Sequence, residues 1–149
     1  MIDRAAIEAM IPHKGAMCLW DEVLAWDARS VRLRSSGHRD PAHPLRSDGL
    51  LRAMHLCEYG AQAMAVHGGL RGAAANAAPK AGFLVALRDV RLHVARIDDL
   101  PDALECEAEV LAESETSQQY AFRISHAGRP IAEGRAAVML QPFSDVGAA

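Results

Sequence analysis

The sequence predicts an α+β domain in which a curved antiparallel sheet wraps one long helix. Three observations carry this. Only one segment, Leu50 to about His67, has the length and apolar content of a long helix, and it is apolar nearly all round, so other structure must enclose it. About four strand-like segments follow it with no helical pattern between them, which is the order of an antiparallel sheet rather than of a parallel α/β protein. The chain has 149 residues, enough for one domain with its own core, and shows no repeat or linker, so 1–149 is one unit.

The elements follow in order. Ile2 to Met10 is a short helix that Pro12 stops. Cys18 to Trp26 is a strand, and "VRLRS" from Val31 alternates apolar and basic as a half-exposed strand does. His38 to Asp48 carries two prolines, with aspartates and flanking glycines as further punctuation, and forms a loop. The long helix runs from Leu50 to about His67 and ends at Gly68-Gly69. "RGAAANAAPKAG" is a connection of small residues. "GFLVALRDVRLHV" is a strand bent at Arg88-Asp89, and "DDLPDA" is a turn. "LECEAEVLAE" alternates strictly, with Leu104, Cys106, Ala108 and Val110 on one face and Glu105, Glu107 and Glu109 on the other. "QQYAFRIS", the turn "HAGRP" and "IAEGRAAVML" make a closing hairpin, and "SDVGAA" is a tail.

Composition narrows the function. Hydrophobic residues are 50% of the chain, aromatics only 5%, and the net charge is −3. The core is therefore aliphatic and small, and nothing marks a nucleic-acid-binding surface. Cys18, Cys57 and Cys106 match neither a disulfide framework nor a zinc motif and read as reduced, buried residues. No signal-peptide pattern or membrane span is present, which points to a soluble cytoplasmic protein.

One residue breaks the helix pattern. Glu58 sits among Leu50, Leu51, Met54, Leu56, Cys57, Ala61 and Met64. A carboxylate is costly to bury unless it is paired or protonated. Enclosure among these side chains predicts a raised pKa and a chemical role; a solvated or salt-bridged helix residue is the alternative. Helical spacing puts Leu51, His55, Glu58 and Gln62 on one face. Gln62 is placed to orient Glu58, and His55 is an alternative partner for it, although the pair lacks a third ligand for a metal site. Asp48 reads as the helix N-cap. His13, His67, His93 and His126 read as structural or surface residues.

These stretches resemble the hotdog-fold β-hydroxyacyl-[acyl carrier protein] dehydratases and their thioester-dehydrase relatives. "IPHKGAMCLWDEV" (Ile11–Val23) is similar to that family's N-terminal Pro-His-basic pattern. "HPLRSDGLL" (His43–Leu51) stands where the family has its catalytic histidine loop. "CEYGAQAMAV" (Cys57–Val66) is similar to its central-helix motif, with Glu58 and Gln62 at the Glu and Gln positions. The loop departs from the usual His-Phe-Pro-Gly, so His38 in "SGHRD" is a second candidate histidine. The pattern looks closest to the divergent branch of aryl-polyene and related pigment pathways.

The resemblance implies elimination of water from a 3-hydroxyacyl thioester. This needs a base for the proton beside the thioester carbonyl, an acid for the departing hydroxyl, and donors for the carbonyl oxygen, but no metal or organic cofactor. Glu58 is the implied acid, His43 the base with His38 as its alternative, and Gly49 and Gln62 the oxyanion and positioning residues. The substrate would ride on the phosphopantetheine arm of an acyl carrier protein, met by a basic rim of Arg46, Arg52, Arg71 and Lys80. A dimer is implied, either of two copies or with another hotdog subunit, each site taking its histidine from one chain and its glutamate from the other. Two further readings are a hotdog thioesterase and a silent acyl-binding subunit of a dehydratase heterodimer.

Overall fold

The computed structural model describes residues 1–12, 14–76 and 80–142. Its strands are β1 (Ile2–Asp3), β2 (Glu22–Trp26), β3 (Ser30–Ser35), β4 (Lys80–Leu92), β5 (Leu104–Glu113), β6 (Ser117–His126) and β7 (Arg129–Pro142), and its helices are α1 (Arg4–Met10) and α2 (Leu56–Ala74). The strands form one antiparallel sheet in the order β1-β2-β3-β5-β6-β7-β4. The hotdog arrangement is thus observed: one sheet around one long helix. The expected connection 71–82 is shorter than predicted, since α2 runs to Ala74 and β4 starts at Lys80; its residues 77–79, His13 and the closing tail fall outside the described residues.

The helix packs chiefly across β3, β5, β6 and β7. Leu104, Cys106, Ala108 and Val110 turn inward to it and the glutamates of β5 turn out, as the alternation predicts. The register sets Arg32 beside Glu107 and Arg34 beside Glu105 on the outer face. Asp89, with φ +53, stands where β4 shifts register against β7, the predicted bend. Ala127 and Gly128, both at positive φ, make the two-residue turn between β6 and β7. Ile11 is extended, as a residue before proline prefers, and α1 ends there. All three cysteines are free, and Cys18 and Cys106 are buried. No helix among the described residues is long and apolar enough to cross a membrane.

The bounds of α2 differ from the prediction at both ends. Leu51 and Arg52 are not helical, and the chain here lies along residues 95–97: the Ile97 amide donates to the Leu51 carbonyl at 2.9 Å and the Ala53 amide to the Ala95 carbonyl at 3.1 Å. A 3-10 turn, Ala53–His55, then leads into the helix. At the far end Gly68-Gly69 does not stop α2. A Cβ on Gly69 would lie 3.0 Å from Met10 Cβ and 3.2 Å from its carbonyl oxygen, so this glycine serves the close approach of α1. The predicted strand from Cys18 pairs only from Glu22 onward.

Candidate active site at the start of the central helix

The loop ahead of α2 is pinned from two sides. Asp98 accepts the Leu51 amide at 2.8 Å and is paired with Arg96, which holds its carboxyl well below the usual carboxylate range. Before it, Ser47 and Leu50 exchange backbone bonds at 2.8 and 2.9 Å around Asp48 (φ +55) and Gly49 (φ +73). Positive φ at both central positions is the geometry an Asp-Gly pair favours. This corrects two expectations. Gly49 is the exposed tip of a turn and does not open the helix. Asp48 does not cap it; its carboxylate lies 3.9 Å from Arg52, and the N-cap position of α2 is His55, with no side-chain cap bond.

His43 points into the protein. The Leu45 amide donates to its Nδ1 at 3.1 Å, so the neutral ring carries its proton on Nε2, which lies 3.0 Å from the Tyr59 hydroxyl. Burial, reinforced by Arg46, holds the imidazole below its ordinary pKa. Tyr59 is fully enclosed and burial raises its phenol pKa; its ring packs edge-on to Trp20, whose Nε1 donates to the Tyr59 carbonyl at 2.9 Å. Both nitrogens of His43 are therefore engaged within the chain. His38, the alternative base, is fully enclosed and sets Nε2 2.9 Å from the Leu100 carbonyl. His67 is likewise a core residue, between the Tyr120 hydroxyl at 2.7 Å and the Asp27 carbonyl at 2.8 Å. His93 and His126 are surface partners of Glu133 and Asp102.

Glu58 is not enclosed as the sequence suggested. Its side chain is 49% exposed and meets His55 Nδ1 at 3.2 Å. The physical reason is that the sheet covers one side of α2 only, leaving Met54, Glu58 and their neighbours on the outer side. Gln62 does not orient Glu58. Its Oε1 accepts the Leu19 amide at 2.6 Å and its Nε2 donates to the Met17 carbonyl at 2.8 Å, which clamps the segment 17–19 onto the helix. Between that segment and α2 lies a cavity of about 300 Å³ lined by Met17, Leu19, Glu58, Ala61 and Gln62. With the amide of Gln62 spent on backbone, the walls are mainly apolar and Glu58 is the one ionisable lining group among the described residues.

Of the expected basic rim, Arg71 is held by Glu113 at 2.9–3.0 Å and is not available to a partner. Arg46 donates to the Gly49 and His38 carbonyls and Arg52 to that of Ser47, which keeps both beside the loop. A wider hollow of about 520 Å³ lies on the outer sheet face, lined by Arg91, Glu107, Arg123, Glu133 and Arg135 among others. Its Arg123–Glu133 pair at 3.3 Å marks a solvated ionic face rather than a reaction centre.

Sequence reasoning missed Tyr59, Met17 and Leu19. A signal for Tyr59 existed: a hydroxyl-bearing ring inside an alanine-rich helix needs a hydrogen-bond partner when buried. Met17 and Leu19 had none, because only the fold brings them to α2.

The model of the ApeP-like family, described as ApeP dehydratase, matches residues 5–147. Among solved structures, the chain is similar to one in "The Dehydratase Heterocomplex ApeI:P from Xenorhabdus doucetiae", with TM-score 0.84 and 23% identity over 94% of this chain and 93% of that one. It is also similar in fold to AziG of S. sahachiroi, TM-score 0.61 and 14% identity over 81% and 90% of the chains. A variant thioesterase of Pseudomonas aeruginosa aligns at TM-score 0.60 and 14% identity over 81% of each chain. No curated protein matches. The chain belongs to the ApeP-like dehydratase family and is a hydro-lyase of the hotdog fold.

Proposed function

We propose that this dehydratase removes water from a 3-hydroxyacyl thioester borne on the phosphopantetheine arm of an acyl carrier protein, giving the trans-2-enoyl thioester, in a pathway of polyene type. The observation that carries the reading is the apolar cavity with one carboxylate among the described residues, Glu58, at its wall. An acyl chain suits the apolar walls, and its reacting carbons need one group that can take and return a proton. The reaction is acid–base chemistry on a carbon acidified by the thioester and calls for no cofactor of the enzyme. Glu58 is the proton-moving group. His43 shapes the site through Tyr59, since its Nδ1 accepts an amide N–H and its Nε2–H is spent on the phenol.

Assembly is part of the proposal. The outer edge of β4 is unpaired among the described residues, and Leu84, Leu87, Val90 and Leu92 remain 36–46% exposed because α2 does not extend over this strand. An apolar edge strand of this length is a liability unless another sheet covers it. A second hotdog subunit is the partner we infer; the heterocomplex of the similar structure favours a different chain over a second copy. Arg46 and Arg52 offer the carrier a basic approach.

The test is incubation with 3-hydroxyacyl carrier protein, alone and with a partner hotdog subunit, followed by product analysis. Enoyl carrier is expected. Free acid would mark a thioesterase, and no turnover with tight binding to the partner would mark a silent subunit.

A further inference from the structure

Glu58 does not stand alone at the cavity. His55, three residues earlier on the same face, turns Nδ1 to Glu58 Oε1 at 3.2 Å. The imidazole is the more enclosed of the two, 24% exposed against 49%. His55 also occupies the N-cap position of α2 without capping it. Its ring nitrogen is thus directed to the carboxylate and not to the helix's own amides. Among the described residues, His43 is close enough to interact electrostatically with His55, and Arg52 on the same turn is drawn to Asp48.

We propose that His55 is a positioning residue for Glu58 in the dehydration, a role that rests on the reading above. A neutral ring that donates Nδ1–H to Oε1 fixes the carboxylate and leaves Oε2 to the substrate. In the reaction Glu58 Oε2 takes the proton from C2. The electron pair of that C–H bond becomes the C2=C3 double bond as the C3–O bond breaks. The same proton then passes from Glu58 to the departing hydroxyl, which leaves as water. Glu58 ends as the carboxylate it began as, and the Nδ1 proton of His55 stays in place throughout.

Three variants and one spectrum test this. His55→Leu removes the donor and is expected to slow turnover roughly 10- to 100-fold with KM little changed, the scale of a misplaced reacting group. His55→Asn restores an N–H donor at about the reach of Nδ1 but does not titrate. It is expected to recover much of the turnover. Should His55→Leu fold poorly, NMR of the imidazole decides independently of turnover: ring ¹⁵N spectra are expected to show the Nδ1-protonated tautomer in the wild type and to lose it in Glu58→Ala, which removes the acceptor. An Nε2-protonated ring in the wild type, or full turnover in His55→Leu, overturns the proposal. Failure of the dehydratase reading looks different, since the wild-type protein would then form no enoyl product.

Discussion

Gln62 on α2 accepts the Leu19 amide on its Oε1 at 2.6 Å, and this bond joins the helix to the segment that walls the cavity. Gln62→Leu keeps the bulk and removes the bond. It strips the Leu19 amide and the Met17 carbonyl of their partner, and a buried group left unpaired costs about 1–3 kcal/mol. A lower Tm is expected, together with a raised KM for acyl substrates because Met17 and Leu19 lose their anchor. An unchanged Tm in a denaturation series would show that the clamp contributes nothing.

Tyr59→Phe separates structure from chemistry at His43. The variant keeps the ring against Trp20 and leaves the His43 Nε2–H without its phenol partner. A loss of about 1–2 kcal/mol is expected, with turnover within a few-fold of wild type. Turnover slowed by about 10²-fold or more at unchanged stability would instead place His43 and Tyr59 in the proton-transfer steps.

The core makes its own test at Gly60. A Cβ there would stand 2.7 Å from the Phe122 ring, which also fills the space beside Gly134. Alanine is the better helix former by about 1 kcal/mol, but overpacking a rigid aromatic costs about 1–3 kcal/mol. Gly60→Ala is therefore expected to destabilise the protein, as read from urea unfolding. A stabilised variant would mean that the ring yields freely.

Acid should weaken the fold from near neutrality. Burial, the largest cause in each case, lowers the pKa of His38, His43 and His67 from the ordinary 6.5. The unfolded chain therefore binds more protons than the folded one below about that value. The contribution is present above 6.5 and is lost as pH falls toward the lowered folded values. Each such histidine adds a slope of up to about 1.4 kcal/mol per pH unit inside its window. Tm measured from pH 8 to 5.5 is expected to hold and then fall. A flat profile over that range would show that the three rings are not held neutral. The depressed carboxyls, Asp98 and Glu113 among them, act only at lower pH.

The fold was legible because its signals are local and repeated. The alternation in "LECEAEVLAE" fixes which face of β5 is buried, and "HAGRP" fixes a turn. The site was legible only in outline. Glu58 was marked by its apolar neighbours, yet those neighbours did not say which side of α2 the sheet would cover. Gly49 and Asp48 were placed at the helix start by proximity in sequence, whereas positive φ at both makes them a turn of their own. Gln62 was assigned to Glu58 by helical spacing; its actual partners, Leu19 and Met17, lie more than forty residues away and have no sequence signature.

The central claim is that Glu58 moves the proton in the dehydration. Glu58→Gln tests it most directly, assayed by enoyl formation from 3-hydroxyacyl carrier protein with Tm measured alongside. The amide has nearly the same shape and cannot take or return the proton. Because Glu58 is half exposed, Tm should stay nearly constant while turnover falls about 10²-fold or more. Turnover at the wild-type rate in the Glu58→Gln protein would contradict the account.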